Sequence, residues 1–168
     1  MKNTGSPIFV HIGDRLRAPQ GTEIGSIKNI QFNNITAVGP YKVFDAIPHN
    51  YIAYKNNDTH QFPGFFSKGK KKKKGKWQIT PNVCGLKDHY IENISFKNIF
   101  FELNGGVKIF NKKVPLKAQK YPEVNAYGKV LPAYGMYFRF IKNLQIKDFE
   151  IKLRHKDKRP KFVLEEII

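Results

Sequence analysis

Two segments of the sequence combine apolar side chains with side chains that bind acidic sugars. One surrounds His11 and the other surrounds Arg139, and in each the apolar residues alternate with aromatic or basic ones. Aromatic rings stack on sugar faces, and a guanidinium group pairs with a carboxylate through two parallel hydrogen bonds. The sequence therefore predicts a surface for an acidic sugar. Its candidate residues are Phe9, His11, Tyr137 and Arg139, with Arg15 and Arg17 from the loop after the first segment.

The same alternation has a second interpretation. If both segments are strands, successive side chains point to opposite faces and the apolar set lies inward. The candidate residues then form an ordinary exposed strand face, whose side chains shield the sheet. The inward set is Ile8, Val10, Ile12, Met136, Phe138 and Phe140.

The remaining reactive side chains do not form a recognisable centre. His49, His60, His89 and His155 are scattered without metal-ligand spacing, so the sequence predicts no metal site and no cofactor. His89 precedes a repeated segment and is interpreted as capping a turn. Cys84 is the single cysteine, which excludes an internal disulfide. It is interpreted as a buried small side chain, since a nucleophile needs a placed base.

A nine-residue pattern that occurs three times indicates how the candidates are positioned. The copies span residues 27–35, 91–99 and 141–149, at offsets of 64 and then 50 residues. Large apolar residues recur at four fixed places in each copy, and an asparagine recurs at the third place. The asparagines are Asn29, Asn93 and Asn143.

The pattern predicts strands joined by bends. Its alternating part suits a strand with one buried face. The asparagine marks a bend, because asparagine tolerates left-handed backbone geometry, and the three asparagines are expected to form a hydrogen-bonded ladder. A single turn of such a chain cannot cover its own apolar face, so neighbouring turns must cover it. We therefore expect an all-β protein of the β-solenoid type; three unrelated strands of a sandwich are the alternative.

Composition is compatible with one domain spanning residues 1–168 and rich in strands. The chain has 168 residues, 14% of them aromatic, and no convincing helix pattern. No apolar run is long enough to span a membrane, and the first residues lack the apolar core of a signal peptide. Residues 37–76 are expected to be a long insertion with a mobile, lysine-rich tip at residues 67–76.

The net charge of +17 predicts an acidic partner. Seven lysines lie within residues 68–76, yet more than half of the excess charge lies elsewhere. A polyuronic acid, a nucleic acid and an anionic surface all satisfy this charge. A solvated surface that maintains solubility is the alternative.

Three segments in order carry a resemblance to a known family. They are residues 5–15 (GSPIFVHIGDR), residues 84–94 (CGLKDHYIENI) and residues 121–139, which end in LPAYGMYFR. Together they resemble the later coils of glycoside hydrolase family 28, the polygalacturonases and their bacterial relatives. The resemblance implies a right-handed parallel β-helix, here of about three to four coils with long loop insertions. It also implies inverting hydrolysis of polygalacturonate or rhamnogalacturonan in a secreted or periplasmic setting.

The catalytic motifs of that family do not occur in this sequence. Inversion needs a general acid and a general base roughly 6.5–9.5 Å apart. The family supplies them from an Asn-Thr-Asp segment and an Asp-Asp pair, assisted by Gly-His-Gly and Arg-Ile-Lys segments. Here Asn3-Thr4 is followed by Gly5, and the only adjacent acids are Glu165 and Glu166. No catalytic residue is therefore assigned, and the chain is expected to be a C-terminal portion that is inactive by itself.

Three functions follow from these observations. The first is the C-terminal portion of a pectin-degrading hydrolase, and the second is a non-catalytic β-solenoid that binds polyanions or carbohydrates. Nucleic-acid binding by the lysine tip ranks last, because no aromatic residue interrupts the lysine run. The first coil is expected to expose its apolar underside, which predicts self-association or a cap formed by N-terminal residues and loops.

Overall fold

The described part of the chain is built from strands. The computed structural model describes residues 1, 6–14, 18–39, 80–108, 110, 112–116 and 131–168. Within these ranges no residue is helical, so none belongs to a helix that could cross a membrane. The prediction of an all-β protein is confirmed for this part. Arg15, Arg17 and the lysine-rich tip at residues 67–76 lie outside it.

Six strands form one curled, parallel sheet. They are β1 (Phe9–His11), β2 (Lys28–Val38), β3 (Asn82–Cys84), β4 (Ile91–Gly105), β5 (Met136–His155) and β6 (Phe162–Ile167). The order along the sheet is β1-β3-β5-β4-β2, and β6 also pairs with β5. Every named pairing is parallel.

Strand β5 changes partners along its length and divides the sheet into two halves. Residues 136–139 lie between β3 and β6, whereas residues 141–155 pair with β4. Phe140 separates them with a left-handed φ of 52°. We call β1, β3, residues 136–139 and β6 the short-strand half. The long-strand half comprises β2, β4 and residues 141–155.

The three copies of the sequence repeat lie one above another in the long-strand half. Ile30 pairs with Ile94, which pairs in turn with Leu144. The stacking register is therefore the one that the sequence alignment predicts, and the alternative of three unrelated strands is wrong. Strand β2 extends to Val38, so that Ala37 and Val38, assigned from sequence to the insertion, pair with β4.

The predicted asparagine ladder is confirmed. Asn29, Asn93 and Asn143 have φ values of 58°, 56° and 56°. The Asn93 amide donates to Asn29 Oδ1 at 2.9 Å, and the Asn143 amide donates to Asn93 Oδ1 at 3.0 Å. Each side-chain amide thus bridges two successive copies at the point where the backbone bends.

A second bend follows five residues later in each copy. Asn34, Asn98 and Asp148 have φ values of 56°, 54° and 52°. The Asn98 amide donates to Asn34 Oδ1 at 2.8 Å. Each copy is therefore a strand bent twice, and the two bends curl the long-strand half around its apolar interior.

The interior of the curled sheet is apolar and best covered at its middle. Ile91, Ile94, Phe96 and Ile99 of the middle copy are at most 1% exposed, whereas their counterparts in the first copy are half-buried. The Phe32 and Phe96 rings stack with centroids 4.9 Å apart. Five of the six residues that were predicted to face inward contribute to the same cluster. They are Ile8, Ile12, Met136 and Phe138 among the buried residues and Val10 at its margin, while Phe140 is buried outside that cluster.

The outer edge of β2 contacts the N-terminus. The Met1 amino group donates to the Thr36 carbonyl oxygen at 2.6 Å, and the Val38 amide donates to the Met1 carbonyl oxygen at 3.0 Å. Residues 2–5 lie outside the described part, so self-association through this edge stays a prediction.

A buried ion pair joins the segments that precede β3, β5 and β6. Arg159 donates from Nη2 and Nε to the Asp157 carboxylate, both at 2.9 Å, and the two side chains are 1% and 0% exposed. Arg159 Nη1 also donates to Thr80 and to the Leu131 carbonyl oxygen. Burial alone raises the pKa of Asp157, but hydrogen bonds from Arg159 and the Val107 amide outweigh burial and hold it below its usual value.

Candidate functional site

The short-strand half brings the four described candidate residues onto one face. In one row of the sheet His11 pairs with Cys84, Cys84 with Arg139, and Arg139 with Glu165. Phe9 and Tyr137 belong to the next row on the same face, two residues earlier along their strands, and both lie opposite Asn82 of β3. Paired residues of parallel strands point to the same side, so the predicted common face exists.

On β3 and β5 other segments of the chain cover this face. Tyr137 and Cys84 are fully buried, and Arg139 is 8% exposed. Tyr137 and Cys84 pack in a second apolar cluster with Val114, Leu131 and Ala133, which lie on segments 112–116 and 131–133. The expectation of an exposed strand face is therefore wrong here, because connecting segments fold back over it.

Arg139 lies at the edge of these covering segments, and not all of its N–H groups donate a hydrogen bond to a described residue. Its Nη1 donates to the Val114 carbonyl oxygen at 3.1 Å, and its Nε lies 3.3 Å from Glu165 Oε2. That Nε is buried, and its geometry towards Glu165 is not that of a hydrogen bond. Nη2 makes no hydrogen bond to any residue within the described ranges. A buried guanidinium normally satisfies its donors, so this one has capacity for a further acceptor.

Glu165 joins Arg139 to Tyr137. The Tyr137 hydroxyl donates to Glu165 Oε2 at 2.7 Å, and the same oxygen is the one that faces Arg139 Nε. Burial, reinforced by this hydrogen bond, raises the pKa of Tyr137, so the phenol stays protonated and remains a donor. The Glu165 side chain is 30% exposed, whereas that of Arg139 is 10% exposed.

Arg139 and Glu165 border an open cleft of about 480 Å³. Tyr90 lies in its wall, packed edge-on against Phe140 with ring centroids 5.7 Å apart. Lys142 places its Nζ 5.4 Å from the centre of the Tyr90 ring. The cleft thus combines an aromatic wall with charges of both signs. Its lining residues are Lys87, Asp88, Tyr90, Leu116, Arg139, Phe140, Glu165 and Glu166.

A tight turn forms the rim of the cleft. The Leu86 amide donates to the His89 carbonyl oxygen at 2.9 Å, and the His89 amide returns a bond of 3.0 Å. His89 therefore closes this turn through its backbone. Gly85 precedes the turn, and a Cβ atom there would lie 2.5 Å from the Phe140 carbonyl oxygen. Only glycine lets the turn approach the bend of β5 so closely.

His11 lies at the other end of the face and is electrically neutral at pH 7. Its ring stacks on Phe9 with centroids 4.2 Å apart and an angle of 10°, and its Nε2 is hydrogen-bonded to Asn82 Oδ1. Burial lowers the pKa of His11 to about 4, although the bond to Asn82 opposes this shift. Phe9 itself is 41% exposed. This pair offers an aromatic surface without positive charge.

Sequence reasoning found Arg139 but missed its partner. The sequence marks Glu165 only as one of two adjacent acids, and no pattern in it singles out Tyr90 or Leu116. The expected buried character of Cys84 is confirmed, and burial raises the pKa of its thiol. Within the described ranges no group of three or more His, Cys, Asp or Glu residues is placed to hold a metal ion. No family model, curated protein or solved structure matches this chain.

Proposed function

We propose that this chain binds an acidic polysaccharide, of the polygalacturonate or rhamnogalacturonan type, in the cleft at Arg139. The observation that carries the proposal is the largely buried Arg139, which lines that cleft and whose Nη2 bonds to no described residue. A uronate carboxylate supplies two acceptor oxygens in the planar geometry that a guanidinium favours. The positive net charge raises the local concentration of such a polyanion.

The shape of the cleft agrees with this ligand class. Small-ligand sites commonly measure roughly 300–1,000 Å³ and combine apolar walls with a few charged groups. Here Tyr90 and the exposed Leu116 offer an apolar wall, and Lys87 adds a second cation to Arg139. An extended polysaccharide can lie in an open cleft and present one carboxylate to the guanidinium.

The proposal includes the wider architecture. The parallel pairing, the kept register and the stacked bends support a right-handed parallel β-helix related to glycoside hydrolase family 28. The chain would form C-terminal coils of a pectin-degrading hydrolase that works in a secreted or periplasmic setting. The family's catalytic motifs do not occur in the sequence, so the proposal assigns binding and no hydrolysis to this chain.

Affinity electrophoresis in gels containing polygalacturonate tests the proposal. The wild-type chain should be retarded at low salt and released at high salt, and a neutral galactan should not retard it. Arg139→Lys keeps the charge but loses the bidentate fork, so it should weaken binding; Arg139→Met should weaken it about tenfold or more. Arg154→Met is the matched control, because Arg154 is exposed in the long-strand half and pairs with Glu102.

Two results would overturn the proposal. Equal retardation of the wild type and both Arg139 variants, all with native circular dichroism, would remove Arg139 from the site. Release of reducing sugar from polygalacturonate by the chain alone would show that it contains an acid and a base after all.

One observation favours the second candidate, a β-solenoid that binds polyanions generally. Lys97 and Lys147 lie directly opposite each other in the long-strand half, and both are exposed. Like charges at paired positions are unfavourable unless an anion lies between them. This candidate predicts that heparin and polyphosphate compete as well as polygalacturonate does and that Lys147→Gln weakens binding more than Arg139→Met.

A further inference from the structure

The geometry points to Glu165 as an internal competitor that occupies the place of the ligand carboxylate at Arg139. This inference rests on the proposed function, because it concerns the same cleft. It adds a residue that sets the affinity of the cleft and that no feature of the sequence assigned to binding.

The two partners differ in how far they are buried. Arg139 is anchored by its Nη1 bond to the Val114 carbonyl oxygen, and its side chain is 10% exposed. Glu165 extends from β6, the last strand, and its side chain is 30% exposed on the cleft. An acidic ligand that enters from solvent therefore meets the carboxylate of Glu165 at the guanidinium.

The contact between the two is weaker than an Arg–carboxylate pair can be. Only one carboxylate oxygen, Oε2, faces Arg139, at 3.3 Å from Nε, and that Nε makes no hydrogen bond. The same oxygen already accepts the Tyr137 hydroxyl hydrogen at 2.7 Å. A ligand carboxylate that binds both Nε and Nη2 would form two parallel bonds where Glu165 forms none. Glu165 keeps Arg139 neutralised when the cleft is empty and yields to a better acceptor.

Calorimetric titration with trigalacturonate at low salt tests this inference. Glu165→Gln removes the competing charge and keeps an oxygen that accepts the Tyr137 hydroxyl hydrogen. We expect it to bind trigalacturonate about tenfold more tightly than the wild type does. Glu166→Gln is the matched control, because Glu166 lines the same cleft but forms no ion pair with Arg139 within the described ranges. It should change affinity by less than about threefold.

A double variant isolates the pairwise effect. In the Arg139→Met background, Glu165→Gln should give no gain, since the site of competition is gone. If the Glu165→Gln single variant binds trigalacturonate and the wild type does not bind it measurably, the gain in affinity is larger than expected and supports the same inference.

Failure of this inference can be distinguished from failure of the proposed function. If the wild type and Glu165→Gln both fail to bind trigalacturonate, the proposed function falls and this inference with it. If the wild type binds and Arg139→Met does not, yet Glu165→Gln binds equally or less tightly, the proposed function stands and Glu165 is no competitor. An equal gain in Glu166→Gln would reduce the effect to the general charge of the cleft.

Discussion

The two halves of the sheet bury their strands differently. In the long-strand half one face meets the apolar interior and the other meets solvent, so from Ile94 to Phe101 buried apolar residues are separated by half-buried or exposed ones, with two exposed residues in a row at the bend. In the short-strand half segments 112–116 and 131–133 also cover the outer face of β3 and of residues 136–139, and every residue of these two stretches is buried. Burial on one face produces a periodic sequence, whereas burial on both faces removes the period.

Covering the second face also changes where polar groups lie. The buried polar or charged residues within the described ranges belong to the short-strand half or to the segments that adjoin it. They are Thr80, Asn82, Arg139 and Arg159. The polar ladders of the long-strand half are exposed instead. Because a buried polar group must be paired, the short-strand half should respond more strongly to the loss of a single partner.

The largest expected effect comes from breaking the buried ion pair in the segment that adjoins the short-strand half before β6. Arg159→Ala leaves the Asp157 carboxylate, which is 0% exposed, without its counter-charge. We expect a loss of about 3–5 kcal/mol in the free energy of unfolding, measured in urea. Lys158→Ala, an exposed neighbour, should change that free energy by less than about 0.5 kcal/mol. A loss below about 1 kcal/mol for Arg159→Ala would show that the buried pair is not what distinguishes this half.

The next prediction compares the middle copy with the outer copy of the long-strand half. Phe96 is 1% exposed between two neighbours, whereas its stacking partner Phe32 is half-buried. Phe96→Ala should cost about 3–4 kcal/mol and Phe32→Ala about 1–2 kcal/mol in urea unfolding. Equal losses would mean that β2 is covered as fully as β4, for example by a second copy of the chain, and sedimentation would then identify that partner.

The strand register of the long-strand half could be predicted from the sequence because each copy of the repeat lies in the same environment. The same four apolar places and the same asparagine recur, so the strand register follows from alignment alone. The second bend carried a signal as well, since Asn34, Asn98 and Asp148 recur at the same offsets. Asparagine and aspartate tolerate left-handed geometry, and this recurrence could have been used to predict the bend.

The cleft could be predicted from the sequence only in part. Arg139 and Tyr137 were predicted on one face from strand alternation, and the structure places them there. Their burial and their contact with Glu165 could not be predicted, because both depend on how the connections before β5 and β6 fold. No repeat relates those connections in length. Whether these residues bind an acidic sugar stays a prediction.

Lowering the pH should destabilise the folded protein, because His11 in the short-strand half becomes protonated. Its pKa of about 4 in the folded protein lies below the ordinary value of about 6.5, so the unfolded chain binds the proton more tightly. The stability that His11 contributes is therefore complete above about pH 6.5 and declines as the pH falls towards 4. The loss over that window should reach about 2–3 kcal/mol in the free energy of unfolding.

Two variants assign this pH dependence. His11→Gln offers an amide donor to Asn82 and should flatten the decline between pH 6.5 and 4. His155→Gln, at an exposed position in the long-strand half, should leave the decline as it is in the wild type. If His11→Gln declines as steeply as the wild type does, the acid sensitivity lies elsewhere in the sheet.

The smallest effect concerns the exposed ladder of the long-strand half. Asn93 accepts from Asn143 and donates to Asn29, and its φ is 56°. Asn93→Ala should cost about 1–2 kcal/mol, because it loses both bonds and places a side chain that disfavours left-handed geometry at the bend. Asn93→Gly loses the same bonds but adopts this φ freely, so it should cost about 0.5–1 kcal/mol. The difference between these variants in urea unfolding measures the backbone preference alone. If alanine and glycine cost the same, the side-chain ladder and not the tolerance of asparagine for the bend fixes the repeat, and an amide would then be required at this place in every copy.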